Sequence, residues 1–152
     1  MIHAVMILSA LIGTFAFALI LRLEKKHILP ASLAGMLVYA LYYLVYYLSS
    51  DLFLANFAGA LLAAVCAYFL AILYKTPATI FHAASLIPLV PGGMLYYPMD
   101  ALIRSDFDGF LLHGGNTLRV GLGIAAGIIL GGIAVRLFRA FRERSRTRNR
   151  LL

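Results

Sequence analysis

The chain has 152 residues, 63% of them hydrophobic and 12% charged, with a mean hydropathy of +0.94 and a formal charge of +7. Soluble domains are roughly 45–50% apolar and about 25% charged, and a small globule has too much surface to hide the excess. Composition therefore excludes a soluble enzyme, a disordered chain and a disulfide-rich secreted module, the last also because Cys66 is the single cysteine.

A membrane span takes about 20 apolar residues, so the length predicts about five transmembrane helices in an all-α integral membrane protein. The first span covers about 2–21. Ala16-Phe17-Ala18 resembles a signal-peptidase site, but the basic cluster Arg22, Lys25 and Lys26 follows the apolar run instead of preceding it, so the run reads as a retained span. The second covers about 28–48, with Pro30 in its first turn, where a missing N–H costs little. After the polar turn Ser49-Ser50-Asp51, a third covers about 52–74 and ends at Lys75-Thr76-Pro77. The fourth, about 78–99, is interrupted by Pro88, Pro91, Gly92 and Gly93. A polar loop is expected at 100–115, then a fifth span at about 116–138. The membrane domain is thus read as 1–138 and a basic tail as 139–152. No cross-strand alternation points to a β-barrel.

Charge sets the orientation. Residues 136–152 carry seven arginines against Glu143, and hence +6 of the formal +7. Lysines and arginines concentrate on cytoplasmic loops. The segments at 22–27, 75 and the tail are basic, whereas 49–51 has no base and 100–115 has Arg104 against three acids. The alternation places the N-terminus outside and the C-terminus in the cytoplasm. Tyr42, Tyr43, Tyr46, Tyr47, Tyr96 and Tyr97 then fall at outer ends, where amphipathic rings favour the interface. The tail itself suits anionic headgroups; it lacks the aromatic interleaving of a nucleic-acid-binding surface.

Membrane helices associate through close packing of small residues. The third span offers Ala55, Gly59, Ala63, Ala67 and Ala71, the fifth Gly123, Gly127 and Gly131, and the first Ser9 and Gly13. Internal bundle packing is the simpler expectation; contact with another subunit, including a second copy of the chain, is the sharper one.

The fourth span carries the chemistry. Prolines three apart, followed by two glycines, do not sustain a regular helix. Open backbone at membrane depth is tolerated only when buried in protein or lining a wet cavity. Discontinuous helices build substrate sites in many transporters, because a half-helix N-terminus offers free N–H groups and partial positive charge to an anion. The expectation is a substrate carboxylate docked near Gly92 and Gly93, with Pro88, Pro91, Tyr96, Ser85, His82 and Asn116 as further binding or pathway residues. A kinked helix without a site is the alternative.

The run Pro77…Ile87-Pro88-Leu89-Val90-Pro91-Gly92-Gly93-Met94-Leu95-Tyr96 resembles the signature of the threonine/serine exporter family, specifically the membrane domain that forms the second half of fused exporters or the small subunit of two-gene relatives. The resemblance implies export of threonine and serine, antiport with the proton gradient, residence in the plasma (inner) membrane and a larger homologous membrane subunit as partner. It also brings in succinate-like dicarboxylate export as an alternative of the same build. A non-transporting accessory membrane protein is the alternative from another class.

The remaining polar residues are few. His82, one turn from Ser85, is expected as a structural histidine at the inner interface, bonded to a neighbouring helix; the sharper reading is proton coupling, since imidazole titrates near neutral pH. Asn56, Asn116 and Thr117 are expected as helix caps or interhelical bonds. No Asp or Glu lies inside an apolar run, so a carboxylate relay would have to come from a partner. There is no metal-ligand spacing, phosphate loop or nucleophile–base pair, so neither an enzyme nor a bound cofactor is expected.

Overall fold

The structure is a computed structural model that describes the backbone of residues 2–148 and the side chains of 5–141. Six α-helices make up almost all of it: α1 (Ile2–Ile20), α2 (Lys25–Ser49), α3 (Leu52–Tyr74), α4 (Ala78–Leu86), α5 (Gly92–Ile103) and α6 (Phe107–Arg148), with a 3₁₀ turn at Ile87–Leu89 between α4 and α5. No strand occurs among the described residues. Of the basic tail, 149–152 lie outside the described residues; α6 carries the backbone of the rest as helix.

Three helices are long and apolar enough to cross a membrane: Lys25–Ser49, Leu52–Tyr74 and the Phe107–Phe141 part of α6. The fourth candidate is the pair Ala78–Leu89 and Gly92–Ile103, bent by 50° at the break. In α1, Val5–Ile20 is apolar but shorter. The architecture is that of an all-α, multi-pass membrane protein.

Local chemistry explains the boundaries. The Asp51 carboxylate caps α3 by accepting from the N–H groups of Phe53 at 2.7 Å and Leu54 at 3.3 Å. Ser50 and Lys75, at φ 53° each, turn the chain out of α2 and α3 in the left-handed conformation that ends many helices. At the start of α2, Lys26 Nζ lies 2.6 Å from Oε2 of Glu24, the residue that precedes the helix, and holds that exposed carboxyl below its usual range.

The loop expected at 100–115 is instead a tight turn. Helix α5 continues through Pro98 to Ile103, and α6 starts at Phe107. Asp106 caps it, its side chain accepting from Gly109 N at 2.9 Å and its carbonyl from Phe110 N at 3.0 Å. Gly114 and Gly115 have the composition of a loop but are carried inside a long helix, Gly114 beside Pro98 of α5. Tyr96 and Tyr97 consequently sit midway along α5, not at an end of it.

Helix α3 is the centre of the bundle and packs against α2, α4 and α6. It does so with two adjacent rows of small residues. Ala55, Gly59, Ala63 and Ala67 are buried on the side of α2 and α4. Asn56, Ala60 and Ala64 are buried on the side of α6, where they meet its glycines. The α6 row interlocks tightly: a Cβ at Gly123 would lie 2.6 Å from Phe53 O, one at Gly127 2.6 Å from Phe57 O, and one at Gly131 2.6 Å from Ala64 Cβ. Gly59 receives Leu89 of the 3₁₀ turn, whose methyl carbons stand 3.0 and 3.1 Å from where a Cβ would be. On α1 the small residues split: Thr14 packs directly on Gly35 of α2, whereas Ser9 and Gly13 face outward. Internal packing thus accounts for the rows on α3 and α6.

Candidate functional site

The break forms where sequence chemistry puts it. Pro88 lies within the 3₁₀ turn, Val90 is extended at φ −64°, ψ 121°, and Pro91 precedes the first residue of α5. No side chain caps α5. Gly92 N donates to Val90 O at 2.8 Å and Leu95 N to Pro91 O at 3.1 Å. The first-turn N–H groups of Gly93 and Met94 remain at an open helix end, where an anion is favoured. Gly92 and Gly93 are exposed, a Cβ on either would meet nothing within 4 Å, and Tyr96 is 64% exposed. Within this chain, the half-helix end is therefore an outward-facing surface and not an enclosed cavity.

The other expected residues divide. Pro88 and Pro91 are half-buried at the break. Ser85 is fully buried, and its hydroxyl donates to the His82 carbonyl at 3.2 Å, turned back onto its own helix. Asn116 lies in the third turn of α6, half-buried, and so caps nothing; nor does Asn56, whose amide donates to Leu52 O at 2.7 Å one turn inside α3. Both cap expectations fail because each helix starts earlier, at an aspartate. Thr117 does make an interhelical bond: its hydroxyl lies 2.7 Å from Met94 O and 2.9 Å from His113 O, tying the first turn of α5 to α6.

His82 is not bonded to a neighbouring helix. Its Nε2 is buried without a hydrogen-bond partner. It borders a cleft of about 640 Å³ between α3, α4 and α6, lined by Ala64, Ala67 and Tyr68, by Ala78, Thr79 and His82, and by an α6 face running from Ile128 through Gly132 to Arg136 and Arg139. That is the size of a small-molecule site. Tyr68 is buried and holds Arg139, whose guanidinium carbon lies 4.7 Å from the ring centroid. None of the described lining residues is acidic. The cleft therefore combines an apolar floor, two guanidinium groups and the ring of His82.

Sequence reasoning singled out His82 here but missed Thr79, Tyr68, Arg136 and Arg139. The signal was present as helical spacing, Thr79 to His82 and Arg136 to Arg139 each one turn apart, yet it becomes a site only once α4 and α6 are known to flank α3. It also missed His27, which is 2% exposed, has Nε2 3.2 Å from Thr76 Oγ1, and stands edge-on to Tyr74 and Phe81. That histidine joins the start of α2 to the α3–α4 turn. Among the described residues no group of His, Cys, Asp and Glu has the arrangement of a metal site.

A family model described as the threonine/serine exporter, ThrE, matches residues 6–134, which take in α1 through most of α6 and the whole broken helix. The chain belongs to the threonine/serine exporter family. No curated protein sequence and no solved structure gives a significant match. Membership makes this a membrane transport protein of the exporter type, and it gives the broken helix its context. In the exporter, the cleft is lined from the first half of α4, by Ala78, Thr79 and His82, whereas the break at Pro88–Gly93 follows the other end of that helix.

Proposed function

We propose that this chain is the small subunit of a threonine/serine exporter, driven by the proton gradient and completed by a larger homologous membrane subunit. It sits in the plasma (inner) membrane with its N-terminus outside and its C-terminus in the cytoplasm. The observation that carries the reading is the exposure of the break. Gly92, Gly93 and Tyr96 lie open on the surface, although uncapped backbone at membrane depth requires protein or water around it. A partner subunit that covers this face would convert the open half-helix end into a pathway, with Gly92 and Gly93 letting the substrate carboxylate approach the backbone.

The distribution of acids supports a partner as well. The acidic residues with described side chains, Glu24, Asp51, Asp100, Asp106 and Asp108, all lie in turns or within a turn of a helix end. A carboxylate proton relay through the membrane would come from the larger subunit. A succinate-like dicarboxylate is the second reading of the substrate, favoured by the same absence of an acid inside the described spans to receive a substrate ammonium group.

The test is efflux of labelled threonine, serine and succinate from proteoliposomes holding this chain with and without the co-encoded larger subunit. Efflux is expected only with both subunits and only with an imposed proton gradient. Gly92→Leu, which collides with nothing inside the chain, should leave the subunit folded and stop efflux. Normal efflux by that variant would remove the break from the pathway. Absence of efflux for all three solutes with both subunits present would refute the exporter reading.

A further inference from the structure

The cleft beside His82 is separate from the break and has features that a packing defect lacks. The His82 imidazole borders it, with Nε2 buried and without a hydrogen-bond partner. Thr79, one turn before His82, brings a hydroxyl to the same lining. On the facing helix Arg136 and Arg139 also line it, the Arg139 guanidinium carbon standing 4.7 Å from the centroid of the buried Tyr68 ring. Among the described residues no carboxylate pairs with either guanidinium. Gly132, between the apolar floor and the two arginines, leaves open space where a side chain would stand.

From this arrangement we propose that the α3–α4–α6 cleft is a binding site for the carboxylate group of a small solute, with Arg136 and Arg139 holding the carboxylate and His82 and Thr79 bonding to it or to a neighbouring polar atom. Guanidinium–carboxylate bonds are charge-assisted and favour planar, two-oxygen acceptors, which fits a carboxylate better than a hydroxyl or amide. The alanine and isoleucine floor accommodates a short carbon chain. The site rests on the exporter reading for its place in transport, as the station at the arginine-bearing end of the bundle, but its occupancy is a property of this chain.

The test is therefore chemical protection, which needs no transport. Gly132→Cys is introduced with Cys66→Ala, and the full chain is reconstituted in nanodiscs and labelled with a water-soluble maleimide. The probes are L-threonine, succinate and L-threoninol, which lacks the carboxylate. At about four times Kd a site is about 80% occupied, so labelling should slow about fivefold with L-threonine or succinate. It should not slow with threoninol, and Arg136→Gln with Arg139→Gln should abolish the protection. Labelling that is indifferent to both carboxylates would overturn the proposal, as would protection that follows the phosphatidylglycerol content of the nanodisc, which would mark a lipid phosphate as the occupant. Protection without efflux in the two-subunit proteoliposomes would uphold the cleft and refute the exporter reading; efflux without protection would do the reverse.

Discussion

The α3–α6 seam makes a prediction whose sign depends on position alone. Replacing Gly127 with alanine adds one methyl group, placed 2.6 Å from Phe57 O, 2.7 Å from Ala60 Cβ and 3.1 Å from Leu61 N. Two of the three obstacles are backbone atoms of α3, so no side chain can rotate away. Carbon contacts are optimal near 3.5–4.0 Å, so α6 would have to retreat by roughly 0.8 Å, a gap that forfeits a quarter to a half of each dispersion contact it opens. Overpacking of this kind typically costs about 1–3 kcal/mol, and we expect about 2 kcal/mol for Gly127→Ala. Gly121 and Gly132 lie in the same helix with nothing within 4 Å of an added Cβ. There alanine should be neutral or, by helix propensity, stabilising by up to about 1 kcal/mol. The assay is reversible unfolding in mixed micelles followed by far-ultraviolet circular dichroism, suitable for a chain with no tryptophan. Equal stability of the Gly127→Ala and Gly121→Ala proteins would refute the packing argument.

Further outcomes follow from single contacts. Gly35→Ala drives a methyl group into the Thr14 side chain, with Thr14 Cγ2 2.8 Å away, and should destabilise by about 1–3 kcal/mol. Adding Thr14→Ala should recover part of that loss, so strictly additive effects in the double-mutant cycle would contradict the contact. Asp51→Ala and Asp106→Ala each remove a helix cap and should cost about 1 kcal/mol in thermal unfolding, with asparagine preserving most of it; an unchanged melting curve for both alanine variants would contradict the cap geometry. Thr117→Val removes the bond to Met94 O and should raise amide exchange in the first turn of α5 while changing global stability by about 0.6 kcal/mol. Unchanged exchange there would mean that the hydroxyl does not hold the two helices together.

Much of the bundle was legible because its strongest signals are local. Proline chemistry alone placed the break, since Pro88 and Pro91 remove donors wherever they stand, and the glycine period marked the packing face of α6. What could not be read was pairing. Nothing in the spacing of Gly123, Gly127 and Gly131 says that their counterparts are Phe53, Phe57 and Ala64 on α3. The start of α6 was misread because Gly114 and Gly115 have the composition of a loop, while the capping signal, Asp106 with Gly109 three residues on, lies upstream among other polar residues. The cleft was missed for a related reason. Arg136 and Arg139 count first as positive charge that orients the chain, and they become part of a site only through the packing of α3 between α4 and α6. The exposure of Gly92 and Gly93 is a tertiary fact of the same kind, invisible until the faces of α5 are assigned.

Helix α6 runs without interruption for 42 residues, about 63 Å at 1.5 Å per residue, or twice the thickness of a bilayer's hydrocarbon core. A rod of that length, tied to α5 at Thr117 and to α3 along the glycine row, behaves as a lever beyond its clamps. Its tightest clamp is the glycine row centred on Gly127, so a 10° rocking of α6 there would carry Arg148, about 32 Å away along the axis, through roughly 5 Å. Small adjustments inside the bundle are thereby magnified at the basic end, and displacements imposed on that end by headgroups or a neighbouring protein reach the seam beside the cleft reduced in amplitude and increased in force.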